Sequence, residues 1–282
     1  MATILKQLQL SIIRAGHSAL HSGLFERAHV FRGNGLRIQT VDAETLSIAE
    51  QRHLADKLYI AHKQIFSGPG ETRFFDCMFR SGAAATRIRI YRRRNKDVVG
   101  YAAIHRYRLT VLGASVTVFR AEAGLLPGYR AHGRTFAFYI RELVKYKLQH
   151  PSEPMYYLGM LVHPSSYVAF ARFFKHVFPK HDQEIPDKEY RFMLALAEEF
   201  GVPPVDQSDP LIRDVGWTTR QAKHFWETSK DTDIAFFRQR NPGYHQGHGL
   251  LVLVPISLLD LVQSVPRNII DRLHRRLAGL HH

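Results

Sequence analysis

Apolar residues Leu54, Leu58, Ala61 and Ile65 recur at three- and four-residue intervals through residues 43–66, which predicts a helix ended by the breaker Ser67-Gly68-Pro69-Gly70. The period then changes. Over residues 86–93, Ile88 and Ile90 alternate with Arg87, Arg89 and Arg92, as in a strand with one exposed face. Asn95-Lys96-Asp97 supplies a turn, and the apolar run 98–104 completes an antiparallel hairpin. A third strand over 115–125 is entered through Leu112-Gly113-Ala114 and stopped by Pro127-Gly128. From Gly133 onward Phe136, Ile140, Leu143 and Val144 share one helical face, with Arg141, Glu142, Lys145 and Lys147 on the other, until His150-Pro151. Residues 155–162 read as a buried strand, and Pro164-Ser165-Ser166 as the start of a helix reaching about Val177.

Beyond this core the pattern predicts a mainly helical insertion over 178–230. It contains an amphipathic segment at 188–200, closed by Gly201, and a Pro-rich linker at 202–210. Residues 233–239 and 250–256 read as two strands paired across the turn-rich stretch from Asn241-Pro242-Gly243 to Gly249. Ile269, Ile270, Leu273, Leu277 and Leu280, set among Arg272, His274, Arg275 and Arg276, describe an amphipathic basic helix. The expected organisation is an N-terminal amphipathic helical extension (1–42), an α/β domain with the helical insertion (43–256) and a C-terminal amphipathic helix (257–282).

At 282 residues and 45% hydrophobic content the chain can bury a full core. The lone cysteine, Cys77, excludes an intrachain disulfide framework and points to the cytosol. Lys6, Gln7, Gln9 and Ser11 interrupt the N-terminus too often for a secretory signal, and the longest apolar run, 249–259, falls short of the roughly 20 residues that span a bilayer. Charge is uneven. Residues 86–147 hold fourteen Lys/Arg against Asp97, Glu122 and Glu142, and so carry +11 of the net +14, which calls for an anionic partner.

The loop from Leu125 and Leu126 through Arg130, Ala131, His132, Gly133, Arg134 and Thr135 joins a predicted strand to a predicted helix. In that position backbone N–H groups can point at one anion, at the positive end of a helix. Gly133 allows close backbone approach, and Arg130 and Arg134 add charge-assisted contacts. With Arg130 and Gly133 in place, this strand–loop–helix resembles the GNAT acyltransferase superfamily, whose loop reads x-P-x-x-(Q/R)-x-x-G-x-(G/A). Thr135 stands where Gly or Ala is usual; its side chain narrows the space beside the phosphates while its hydroxyl can donate. The resemblance covers about residues 86–177.

That resemblance implies a mixed, mostly antiparallel sheet flanked by helices (α/β, α+β) and an N-acyltransferase. The donor is expected to be acyl-CoA, or phosphopantetheine on an acidic acyl-carrier protein, and the acceptor a small-molecule or peptide amine; no metal is implied. Pantetheine is expected between strands 115–125 and 155–162. Glu122 is the first candidate for the base, with His105 and His163 as alternatives. The family's usual acid, a tyrosine on the following helix, is met here by Phe173 or Phe174, which leaves Tyr167 as the substitute.

Other readings stand beside this one. A nucleic-acid-binding protein is the alternative, with Arg87, Arg89, Arg92, Arg93 and Arg94 set among Tyr91, Tyr101 and Tyr107 as a stacking surface. The apolar run 249–254 and the basic C-terminal helix suit either a long acyl donor and peripheral contact with an anionic membrane, or ordinary core. His17 and His21, four apart, lack a third metal ligand, and His245 and His248 are no better supported.

Overall fold

In a computed structural model, the described residues are 36–130, 134–220 and 224–261. The predicted N-terminal helix, apart from its last residues, and nearly all of the C-terminal helix lie outside them. Strand β1 (Arg37–Asp42) leads to helix α1 (Ile48–Ile65), strand β2 (Phe66–Ser67) and helix α2 (Glu71–Phe79). Strands β3 (Ala85–Arg92), β4 (Val98–Val111) and β5 (Ala114–Leu125) follow. Then come helix α3 (Arg134–Gln149), strand β6 (Met155–Leu161) and helices α4 (Pro164–Phe173) and α5 (Asp187–Glu199). Strands β7 (Ile212–Asp214) and β8 (Thr218–Thr219), helices α6 (His224–Thr228) and α7 (Thr232–Arg240), and strand β9 (His248–Pro255) complete the order.

Seven strands form one sheet in the order β1-β3-β4-β5-β6-β9-β7; every neighbouring pair is antiparallel except the parallel β5 and β6. This is the mixed, mostly antiparallel sheet flanked by helices that the sequence predicts. Alternation along the strands decides which helix lies on which face. Ile88, Ile90, Tyr101 and Ala103 pack with Leu54 and Leu58 of α1 and Phe74 and Met78 of α2. Intervening Arg87 and Arg89 point the other way, toward α3, where Arg87 pairs with Glu142 at 2.8 Å and Arg89 lies 4.2 Å from the Phe138 ring centre. Leu58, Phe74 and Met78 are wholly buried, and each such side chain contributes roughly 1.5–3 kcal/mol to the core.

Helix α1 starts where it does because Ser47 and Glu50 form a reciprocal capping box: the Glu50 carboxylate accepts from the Ser47 N–H at 2.8 Å, and the Ser47 hydroxyl accepts from the Glu50 N–H.

Four expectations are corrected. Residues 37–42 are a strand, β1, paired along its whole length with β3 and tied by Arg87 to Asp42 at 2.6 Å, where the sequence reading placed a helical extension. Residues 233–239 are helix rather than strand. The Asp231 side chain caps the N–H groups of Asp233 and Ile234, and the buried Ile234 and Phe237 are three apart, which is a helical interval. Strand β9 pairs instead with β6 and β7. The described residues of the insertion hold one long helix, α5, and the short α6, with short strands and irregular chain around Pro203, Pro204, Pro210 and Gly216.

The nucleic-acid stacking surface is absent from the described residues. Tyr91, Tyr101 and Tyr107 are buried, Arg87 is committed to two carboxylates, and Arg89 to an aromatic ring. Leu250 to Val254 are completely buried on β9, between β6 and the edge strand β7, so this run is core and not an interfacial surface. Among the described residues no helix is long and apolar enough to cross a membrane.

Candidate active site

Strands β4 and β5 pair from Gly100–Leu125 to Val111–Ala114, and β6 and β9 pair from Tyr156–Pro255 to Leu161–Leu250. Between these two blocks, β5 and β6 pair only at Thr117–Met155, Val118–Tyr156 and Phe119–Tyr157. Each strand is secured on its outer side, so the two diverge beyond Phe119 and Tyr157. A cavity of about 300 Å³ occupies this opening, between β5 residues 120–125 and residues 158–162 on the β6 side. Gly124 keeps one wall low, since a Cβ there would lie 3.0 Å from the Phe66 ring and 3.1 Å from the Ile65 Cδ1.

Arg130 and Thr135 line one end of the cavity, at the N-terminus of the 16-residue helix α3. Arg130 Nε donates to the Leu125 carbonyl at 2.7 Å, while its buried Nη1 has no partner among the described residues. Burial pushes its pKa below the usual guanidinium value, but an arginine stays charged. A desolvated cation with an unused N–H, beside a helix N-terminus and a threonine hydroxyl, is suited to a phosphate. Arg93 adds charge nearby: its Nε donates to the Tyr129 hydroxyl at 2.8 Å, and its guanidinium lies 5.4 Å from that ring's centre.

Of the sequence-predicted loop residues, Leu125, Arg130 and Thr135 line the cavity, and Leu126 is half-buried beside them, its N–H donating to the Val99 carbonyl at 2.9 Å. Ala131, His132 and Gly133 lie outside the described residues, as does the Arg134 side chain.

Glu122 faces the cavity from the later half of β5, half-buried, with its buried Oε2 lacking a hydrogen-bond partner among the described residues. Burial raises its pKa, and the Arg120 guanidinium opposes that shift. The Tyr139 hydroxyl donates to the Glu122 carbonyl at 2.7 Å and steadies the strand behind the carboxyl. A carboxylate whose pKa is moved toward neutrality is a fitting proton acceptor.

His163 also borders the cavity, but it serves as the N-cap of α4: its Nδ1 accepts from the Ser165 N–H at 3.2 Å and lies 2.7 Å from the Ser165 hydroxyl. His105 is not brought to the cavity. It lies under Thr86, 2.9 Å from the hydroxyl, and burial, with the charge of Arg120 adding to it, pushes its pKa down to about 3. Tyr167 is likewise a packing residue, fully buried against Phe236 and Phe237 with its hydroxyl donating to the Pro179 carbonyl at 3.1 Å. Cys77 is no nucleophile, because burial and then the charge of Glu122 push its thiol up to about 12.

The structure adds residues that sequence reasoning missed as site groups. Tyr101 is the one phenol lining the cavity among the described residues, and its hydroxyl lies 2.7 Å from His62 Nδ1. Burial pushes His62 down to about 4, so the ring is neutral near pH 7, and it raises the Tyr101 phenol well above its usual value. His62 sits among Phe74, Phe66 and Trp217 at ring distances of 4.6, 5.0 and 5.0 Å. Trp217 reaches it because β8 pairs with β2, with Ser67 and Thr218 hydroxyls 2.6 Å apart. Arg120, two residues before Glu122 on the same strand face, completes the lining.

No protein-family model matches the sequence, and no curated protein matches it. Among solved structures the chain is similar to a GNAT family N-acetyltransferase of Escherichia coli in complex with CoA, at 13% identity over 50% of this chain and 71% of that one, with a TM-score of 0.32. An acetyltransferase of Trypanosoma brucei gives 15% identity over 54% of this chain and 97% of that one, with a TM-score of 0.33. A probable N-acyltransferase of Enterococcus faecalis gives 12% identity, with 49% of this chain spanning 33% of that one at a TM-score of 0.31. Likeness at this level carries no chemistry of its own, which has to come from the cavity between β5 and β6.

Proposed function

We propose that the protein is an acyltransferase that moves an acyl group from a pantetheine thioester, carried as acyl-CoA, to an amine. The observation that carries this reading is the opened β5–β6 seam, which joins the Arg130 end of the cavity to the Glu122 carboxyl. A phosphate held at Arg130, Thr135 and the start of α3 leaves the pantetheine arm to run along the seam. Its amide groups suit a place between two strands that no longer pair with each other.

In this reading the Glu122 carboxylate takes a proton from the acceptor ammonium and frees its lone pair. Nitrogen attacks the thioester carbonyl, the C–N bond forms, and the C–S bond breaks as the tetrahedral adduct collapses. As the C–S bond breaks, the cationic adduct nitrogen gives up its second proton and the departing thiolate takes one, relayed through the Tyr101 hydroxyl, which His62 orients and which ends neutral. A cavity of about 300 Å³ is at the small end of ligand sites, which favours a short acyl group over a long chain. Arg93 and its neighbours on the β3–β4 hairpin suit either the remaining phosphates of CoA or an acidic carrier protein.

The test is acyl transfer by the full chain, followed by thiol release and by mass of the acylated amine, with acetyl-, butyryl-, octanoyl- and palmitoyl-CoA and one acyl-carrier protein. Short-chain CoA donors are expected to turn over best. Turnover restricted to palmitoyl-CoA or to the carrier-bound donor would overturn the short-chain CoA assignment, and no acylated amine from any donor would overturn the transferase reading.

A further inference from the structure

Arg120 and Glu122 occupy alternate positions of β5 on one face of the sheet, and both line the cavity. Glu122 has a chemical task in the reading above, but Arg120 has none. Its guanidinium lies 4.4 Å from the centre of the Phe200 ring, and its Nη2 lies 3.8 Å from the Met160 sulfur. Neither of these two contacts is anionic; the Glu122 carboxyl feels the charge of Arg120, but among the described residues Arg120 forms no salt bridge. By contrast, Arg87 on the neighbouring hairpin is bound by two carboxylates. Trp217 brings a second unused donor to the cavity, since its Nε1 is buried without a partner among the described residues. The acceptor side therefore presents one carboxyl and an excess of N–H donors.

We infer that the amine acceptor also carries a carboxylate, and that Arg120 holds it as the specificity-determining residue. This rests on the acyltransferase reading and names its acceptor class. Alternate strand positions are on the order of 7 Å apart, a distance that a small amino acid bridges when each charged end makes one hydrogen bond. With its carboxylate against Arg120, the amine is turned toward Glu122, where its proton is removed. Phe200 and Met160 cover part of the guanidinium without competing for its charge, and a charge-assisted bond to a carboxylate is stronger than a neutral one. A free amino acid and a peptide with an acidic first residue share this chemistry.

The experiment measures kcat/KM with acetyl-CoA for matched acceptors: alanine against alaninamide, phenylalanine against phenethylamine, and Asp-Ala amide against Asn-Ala amide. The first two pairs report a free amino acid, and the third a peptide. The carboxylated member of at least one pair is expected to lead by about 10- to 100-fold, the usual range for a charge-assisted hydrogen bond. In Arg120→Met that ratio falls toward one through a higher acceptor KM, and Arg120→Lys keeps part of it. Donor KM and thermal melting are read for both variants, and Arg120→Lys carries the test if the methionine variant fails to fold. N-acyl products formed with ratios near one in every pair, or a ratio that survives in both variants, would overturn the inference while leaving the transferase standing. No N-acyl product from any acceptor would overturn both.

Discussion

Arg130 donates its Nε to the Leu125 carbonyl at 2.7 Å, and this bond aims the rest of the guanidinium at the cavity, where its Nη1 has no partner among the described residues. Strand β5 thereby positions the cation that stands at the start of α3. Arg130→Gln keeps a donor for the carbonyl and removes the charge. Donor affinity is expected to fall about 10- to 100-fold, with melting temperature little changed, as read by calorimetric titration of CoA. Unchanged affinity would remove Arg130 from the donor site.

Glu122 supplies a prediction with two readouts of opposite sign. Because burial raises its pKa, the acid limb of kcat/KM is expected above the ordinary carboxylate range, with rate rising as Glu122 loses its proton. Glu122→Gln should lower kcat by about 10²–10⁴ and abolish that limb. Stability moves the other way. A carboxyl with a raised folded pKa binds its proton more tightly folded than unfolded, so stability declines as pH rises from the unfolded value of 4.5 through the folded one. Glu122→Gln is therefore expected to melt higher than the wild type at neutral pH while losing activity. A variant that melts lower and retains the acid limb would contradict both roles.

Much of the strand order was legible in the sequence, because local alternation and helical periodicity mark β3 to β6 and α3. The errors share a cause. In residues 233–239 the apolar positions Ile234, Ala235, Phe236 and Phe237 are consecutive, so neither period shows, and the Asp231 cap decides for helix. β1 is short and takes its meaning from pairing with β3, whose charge-bearing face supplies Arg87 for Asp42. In the site, Glu122 and Arg130 were readable from their places beside the loop. Arg120 was readable in principle, since it shares a strand face with Glu122. His62, Tyr101 and Trp217 come from α1, β4 and the segment before β8, and only the β2–β8 pairing brings the tryptophan to the histidine. Local pattern contains no record of such a meeting. Likewise, the opening between β5 and β6 depends on outer strands pulling each way.

Two buried histidines predict acid sensitivity. His62 and His105 have folded pKa values of about 4 and about 3 against an ordinary 6.5, so the unfolded chain binds more protons than the folded one between those limits. Their contribution to stability is intact above pH 6.5 and is lost as pH falls toward the folded values. Urea midpoints taken from pH 7 to pH 4 should fall less steeply in His105→Gln than in the wild type. Parallel slopes would place the acid sensitivity elsewhere.

The Arg87 bridge joins β1, β3 and α3 through Asp42 and Glu142, and the Glu142 side chain is only 8% exposed. Arg87→Met strands that carboxylate and should cost about 1–3 kcal/mol in urea unfolding. Adding Glu142→Gln removes the stranded charge and is expected to restore part of the loss. Equal stability of the single variant and the wild type would make the bridge a surface ornament.

The most direct test follows acyl transfer itself. Purified protein is incubated with acetyl-CoA and the matched acceptors, and free thiol and N-acetylated acceptor are quantified together over time. The expected result is one N-acetyl product for each thiol released, with Glu122→Gln slowing both equally. Thiol released without acylated amine, or no release above the uncatalysed rate with any donor in the series, would contradict the assignment of the β5–β6 cavity as an acyl-transfer site.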